Sequence, residues 1–341
     1  MLALFLKAGG GVEVREVDKP RAGRGELVVK LGVCGVCGTD LEKARGHGVT
    51  TAILGHEVAG VVEEVGEGVE DLEEWEHVFV HHHVSCGRCH YCLNGNPTMC
   101  SLFLRTNIEP CGFAEYFRVP SVNVERGAVI KLPKAMSLET ASFIEPLACC
   151  VKALNRIHPS AGFSSAVIGF GPMGALFTML LRLSGASYIC VGDVSEFRLG
   201  FAGEAGADDS VNLAEGSMRE ACLAATGGRG VDLAVVSTGN LKAYEEALRV
   251  VRRGGAVCVF GAPGRGARLE LDFSKLFIDE LSLIPSYSTS ERETRQAFEL
   301  LRTGRVNPLP LITHVYRLED AVEAFATAAD PSRSMKVLVR A

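Results

Sequence analysis

Hydrophobic and polar positions fall into three successive rhythms along the chain. Up to about residue 145, short alternating stretches such as 27–31 and 58–65 are separated by turn residues, with Gly and Val abundant. A period of two in short runs predicts an all-β domain of many strands. Pro133 and the segment 137–150 then shift toward helix-forming residues. From Ala166 to about Ser286, apolar strands at 166–168, 188–191, 231–236 and 256–260 interleave with helical spacing at 173–183, 196–205 and 242–252. That alternation predicts a parallel sheet with helices on both faces. The end is mixed. Helices are expected over 293–303 and 318–328, with Pro308 and Pro310 between them, and a strand over 336–339. No internal repeat or low-complexity tract interrupts the pattern.

Composition narrows this picture. A chain of 341 residues accommodates about two domains and buries a core without disulfide help. With 47% hydrophobic and 22% charged residues it is not a disordered protein. The net charge of −6 comes without a long block of either sign, which argues against nucleic acid as a partner. Only six apolar residues precede Lys7, too few for a signal peptide. The best apolar run, near 174–181, is broken by Thr178 and falls short of the ~20 residues of a membrane span. A cytoplasmic protein without a membrane partner is expected.

Three groups of residues point to chemistry. Gly169-Phe170-Gly171-Pro172-Met173-Gly174 fits G-x-G-x-x-G, follows a predicted strand and opens a predicted helix. Such a turn lets backbone approach a pyrophosphate at a helix N-terminus. Asp193, 22 residues after Gly171, ends the next strand, where a carboxylate accepts ribose hydroxyls and repels a 2′-phosphate. Arg198 nearby is able to receive a phosphate, yet the balance favours NAD over NADP. A plain glycine turn with a solvated Asp is the bland alternative.

Cys86, Cys89, Cys92 and Cys100 are four of twelve cysteines, gathered within fifteen residues. Four thiolates saturate a tetrahedral zinc ion, so the site should be structural; an iron–sulfur cluster is the less favoured reading. The other eight cysteines are dispersed, as small buried apolar residues are. A second, scattered set comprises Cys37 in Cys37-Gly38-Thr39-Asp40, His56 and Glu57 in Gly55-His56-Glu57, and Glu145 before Pro146. One thiolate, one imidazole and one or two carboxylates make a mixed zinc site that keeps an open position. Taken singly, each has an ordinary structural reading as a core thiol, a satisfied histidine or a helix N-terminal acid.

The order CGTD, GHEVAGVVEEVG, CGRCHYC with Cys100, EPLA and GFGPMG resembles the zinc-dependent medium-chain dehydrogenase/reductase family across essentially the whole chain. The sorbitol and threonine (polyol) dehydrogenase branch is the most similar. The resemblance implies an α/β plus β architecture: a GroES-like catalytic domain over 1–148 with a structural zinc lobe at 86–100, a Rossmann-type doubly wound NAD-binding domain over 149–285, and a return to the catalytic domain over 286–341. It implies two zinc ions per chain, with the catalytic one in a cleft between the domains. Cys37 and His56 are its ligands, Glu57 and Glu145 bind it or exchange with water, and Thr39 relays the substrate proton. Gly169, Gly171, Pro172, Met173, Gly174, Asp193 and Arg198 contact the cofactor, with 285–288 bordering the nicotinamide or forming a plain loop. The implied reaction passes a hydride between a secondary alcohol or polyol and NAD(P), or back to the ketone, in a homodimer or homotetramer.

Three departures stand out. Glu42 takes the place of a relay histidine, Trp75-Glu76 replaces the usual Gly-Asp, and His81-His82-His83 is an unusual triplet. By the resemblance His82 lines the substrate pocket beside Phe113, against the alternative of an alternating surface strand. A further zinc ligand among the three is not expected. Rival functions are a zinc-free quinone or enone reductase, a noncatalytic NADH-binding protein of the same fold, and a dismutating zinc dehydrogenase.

Overall fold

The computed structural model describes residues 1–47 and 52–341. Its strands in chain order are β1 (Leu2–Leu6), β2 (Val12–Glu16), β3 (Leu27–Gly35), β4 (Glu57–Val65), β5 (His77–Val80), β6 (Tyr116–Val119), β7 (Val129–Lys131), β8 (Ser164–Ile168), β9 (Tyr188–Asp193), β10 (Asp209–Asn212), β11 (Val231–Val236), β12 (Val251–Val259), β13 (Ser282–Pro285), β14 (Ile312–Arg317) and β15 (Lys336–Arg340). Two compact units form: residues 1–148, 288–330 and 336–341 in the first, 149–287 and 331–335 in the second.

In the first unit β3 is the hub. It pairs antiparallel with β4, β6 and β15 in a seven-stranded sheet ordered β14-β15-β3-β4-β5-β7, with β6 off that path. The alternation read at 58–65 is β4, whose Val58 and Val62 are fully buried with Leu27, Val29, Val78, Val80 and Phe117. Period two places these side chains on one face. The short strands β1 and β2 form a separate hairpin.

In the second unit six parallel strands run β10-β9-β8-β11-β12-β13. Numbered within the unit this order is 3-2-1-4-5-6, which reverses between β8 and β11 and opens a crevice at their carboxyl ends. Ala166, Ile168, Ala234 and Val236 on those strands are buried, as strands covered on both faces must be.

Some predicted boundaries move. The helix expected over 196–205 is two, Glu196–Leu199 and Ala202–Ala205. Gly200 is a poor helix former and Gly206 closes the second piece with a left-handed backbone. The helix predicted over 242–252 ends at Val250, where the β-branched Val250-Val251 pair passes into β12. Residues 331–335 belong to the second unit: Ser195 Oγ donates to Pro331 O at 2.6 Å. Among the described residues no helix is long and apolar enough to cross a membrane.

Candidate active site

Where β3 ends, Cys37 is the N-cap of the helix Gly38–Ala44. Asp40, wholly buried in that helix's first turn, accepts the Cys37 N–H at 3.1 Å and the Gly55 N–H at 2.9 Å. One carboxylate thereby fixes the helix start to the turn carrying His56. Its Oδ1 also lies 3.7 Å from His56 Nδ1, where a second partner orients a ligand ring. Glu57, the first residue of β4, is fully buried, and the donor atoms of Cys37, His56 and Glu57 all lie within 4.8 Å of one another.

Glu57 uses its two oxygens differently. Oε2 is paired with Lys336 Nζ, an equally buried cation that also donates to Val36 O at 3.1 Å. Oε1 is buried and accepts no hydrogen bond. Such an acceptor costs about 1–3 kcal/mol unless something binds it. Gly35 makes the pair possible, because a Cβ there would stand 2.9 Å from Lys336 Cε and closer still to Glu57 Oε2. Burial alone would neutralise Lys336, but Glu57 and Cys37 outweigh it and raise its pKa. Burial likewise opposes charge on His56, yet Asp40, Cys37 and Glu145 hold it well above the usual histidine range. A pocket that pulls a proton onto an imidazole favours a cation. Thiolate, imidazole and an unclaimed carboxylate oxygen fit zinc with a position to spare.

Glu145, expected in this set, falls in a different one, with its donor atom within 4.8 Å of His81 and His82. These histidines follow β5, where Ala128 O accepts the His81 N–H at 2.9 Å and Asn123 Nδ2 donates to His82 O at 3.0 Å. His81 is wholly buried and His82 nearly so. Burial, reinforced by neighbouring imidazoles, holds both neutral, with His81 down at about 3 and His82 well below its usual value. His83 Nδ1 meets Thr106 O at 2.5 Å. The triplet is not an alternating surface strand. Phe113 is a core residue, wholly buried with its ring 5.4 Å from that of Phe325, and offers no surface to a substrate. Thr39 is exposed on the first turn of its helix.

The four cysteines form a separate nest. Cys89 caps the short helix His90–Leu93 and Cys100 closes the 3-10 turn Pro97–Met99. All four sulfurs lie within 4.8 Å, and Cys86 N–H donates to Cys100 Sγ at 3.4 Å. The Arg88 and Cys89 N–H groups pull the Cys86 thiol down to about 6, while burial and the Cys89 thiol push Cys92 up to about 11. Four clustered sulfurs sharing their protons fit a tetrahedral zinc ion, which would bind as thiolates form and the protons leave.

In the second unit the glycine turn joins β8 to the helix Pro172–Leu183, with Gly171 as N-cap and Pro172 at its first position. Gly169 has φ +92°, and a Cβ on Gly174 would lie 2.2 Å from Gly169 O. Asp193 ends β9, accepting the Phe170 N–H at 2.5 Å and the Ser195 N–H at 2.9 Å, so it braces the turn. Arg198 Nε donates to Ser334 O at 3.2 Å, and its Nη1 would be 3.3 Å from a Cβ on Gly171. Met173 offers its carbonyl to the Cys150 thiol.

Sequence reasoning missed Asp40, Lys336 and His81. Asp40 carried a signal, since a carboxylate three residues after a helix N-cap reaches back to the cap N–H. Lys336 carried a fainter one, as the lone charge opening the apolar run 336–339.

Known proteins bear out the resemblance. Residues 23–134 match the family described as Alcohol dehydrogenase GroES-like domain, and 172–303 the family described as Zinc-binding dehydrogenase. L-threonine 3-dehydrogenase of Pyrococcus horikoshii is 34% identical over 329 residues, 93% of this chain and 91% of the relative. D-arabinitol dehydrogenase 1 of Uromyces fabae is 28% identical over 100% of this chain and 97% of its own length. The solved alcohol dehydrogenase from Thermus sp. ATN1 superposes with a TM-score of 0.87 at 29% identity, covering 100% of this chain and 99% of that one. With its two cysteine-containing donor sets and glycine turn, the chain therefore belongs to the zinc-dependent medium-chain dehydrogenase/reductase family, NAD(P)-dependent oxidoreductases of alcohol or polyol and ketone pairs.

Proposed function

We propose that the protein is an NAD-linked dehydrogenase of hydroxylated secondary alcohols, with Cys37, His56 and Glu57 as the ligands of its catalytic zinc. The convergence of those three donors, with Glu57 Oε1 unclaimed while Lys336 holds Oε2, carries the reading. Zinc held there supplies a Lewis acid that lowers the pKa of a hydroxyl; the nicotinamide supplies the hydride chemistry. Cys86, Cys89, Cys92 and Cys100 hold a structural zinc. Thr39 takes the proton from the substrate hydroxyl. Glu42, three residues on and therefore on the same helix face, leads it outward. Glu42 accepts from Arg45 Nη1 at 2.8 Å and meets His47 Nδ1 at 2.8 Å, and His47 is exposed, so an imidazole stands beside the residue that replaces the branch's histidine. A buried zinc-ligand set with its orienting groups in place disfavours a zinc-free reductase or a noncatalytic binder.

Asp193 supports NAD. Its buried charge is fixed by two backbone N–H groups, where a 2′-phosphate would meet it. Arg198 is drawn toward Gly171 and Ser334, a placement suited to the pyrophosphate. The relatives named for L-threonine and D-arabinitol direct the substrate search to amino alcohols and polyols. NAD reduction screened over polyols, threonine and simple secondary alcohols with zinc-replete protein tests the reading; no turnover with any of them refutes it. Asp193→Ala should lower the kinetic preference for NAD over NADP by about tenfold, near 1.4 kcal/mol.

A homo-oligomer is part of the proposal. At the edge strand β13, Leu283 is exposed, and Phe273, Phe277 and Ile278 are exposed on the nearby helix Phe273–Ile278. An open edge with apolar neighbours invites a second copy. Phe277→Glu should shift the mass measured by light scattering toward a monomer.

A further inference from the structure

We infer that His81, His82 and Glu145 form a second divalent-metal site beside the Cys37–His56–Glu57 set. Each contributes one donor atom, and the three donors lie within 4.8 Å of one another. His81 is 0% and His82 9% exposed, and Glu145 is 5% exposed, so the set is sequestered inside the first unit. Neither ring nitrogen of His81 has a hydrogen-bond partner, nor does Nδ1 of His82. A neutral imidazole always carries one N–H and one lone pair, so a buried ring without partners loses both water contacts for nothing in return. His81 is in that condition at both nitrogens and His82 at Nδ1; with the Glu145 carboxylate within 4.8 Å of both, they make a donor set and not packing.

The neighbours explain why these rings stay in place. His82 lies 5.1 Å from His56 and 5.3 Å from His81, centroid to centroid, while its carbonyl is held by Asn123. His83 differs. Its Nδ1 is already satisfied by Thr106 O, and it is outside the set. Two imidazoles and one carboxylate suit a borderline first-row ion such as Zn²⁺ or Co²⁺ and leave coordination positions open. The set contains no thiolate, unlike the other two.

The inference rests on the proposed role of Cys37 only for the total count of ions. Zinc per chain, measured by mass spectrometry of the exchanged full-length protein, should be three. Cys37→Ser should lower it to two, His81→Gln to two, and the pair together to one, while His83→Gln keeps three. Titration of the metal-free parent with Co²⁺ gives a readout that needs no variant to fold. Two equivalents should bring near-ultraviolet thiolate charge-transfer absorption, and a third should add visible bands without raising it. A count of two that Cys37→Ser lowers and His81→Gln does not would overturn this site and leave the proposed function standing. A count that Cys37→Ser leaves unchanged would refute the Cys37 assignment instead. Saturation with Co²⁺ at two equivalents, both with thiolate bands, also excludes the site.

Discussion

The cysteine nest and the Cys37 pocket both gather donors that could hold a metal ion, and they do so by opposite means. The nest draws its four sulfurs from fifteen consecutive residues and steadies them with the backbone N–H groups of the same loop. The pocket draws on a helix cap, a turn, the first residue of β4 and a lysine 279 positions from the glutamate it pairs with. One site depends on local turns, the other on the tertiary sheet. A closed local site suits a structural ion, whereas an open site needs its donors fixed by something other than the metal.

Exchanging one sulfur in each site should separate them. Cys37→Ser should cost several kcal/mol of transition-state stabilisation, on the order of a thousandfold in alcohol oxidation, with little change in melting temperature. Cys89→Ser should leave the Cys37 zinc in place but speed amide exchange across 86–105. If the two variants behave alike, the contrast fails. The tertiary dependence is tested next. Lys336→Met should destabilise the fold by about 3–5 kcal/mol by stranding Glu57, and Glu57→Gln added to it should recover most of that loss in denaturant melts.

The smallest expected effect falls on orientation. Asp40→Asn keeps the shape but removes the charge behind His56, and should weaken catalytic zinc by about 10–100-fold in competition with a chelator. It also alters a pH profile. His56 titrates in the metal-free fold above its unfolded value of about 6.5, so its contribution to stability is complete below about pH 6.5 and is lost as pH rises through the folded value. Asp40→Asn brings that folded value down. The fall in melting temperature of metal-free protein from about pH 6 to about pH 9 should therefore be shallower in the variant.

The same contrast explains what was legible. Cysteines at two-residue gaps and a glycine turn between strand and helix are local patterns, and the structure brings those residues together where they were read. Cys37, His56 and Glu57 were legible only through the order of their motifs, since no spacing rule links a cap to a strand start. Lys336 was not legible, because nothing local says which strand β15 will join. β10 and β13 escaped for another reason: Asp209–Asn212 is polar and Ser282–Pro285 ends in proline, as edge strands can. Phe113 shows the reverse error. Resemblance alone set it at a substrate, whereas its place among Leu4, Val58 and Phe325 makes it core.

The long reach from Glu57 to Lys336 has a consequence for biosynthesis. A ribosome makes β3 and β4 early and β15 some 279 residues after Glu57. Until that last strand docks beside Gly35 and Cys34, the glutamate has no ammonium to bury against, and the sheet cannot seal around it. The cysteine nest is complete once Cys100 has emerged. Its four donors are therefore all made while most of the chain is still to come, whereas Glu57 gains its ammonium only after translation has passed Lys336.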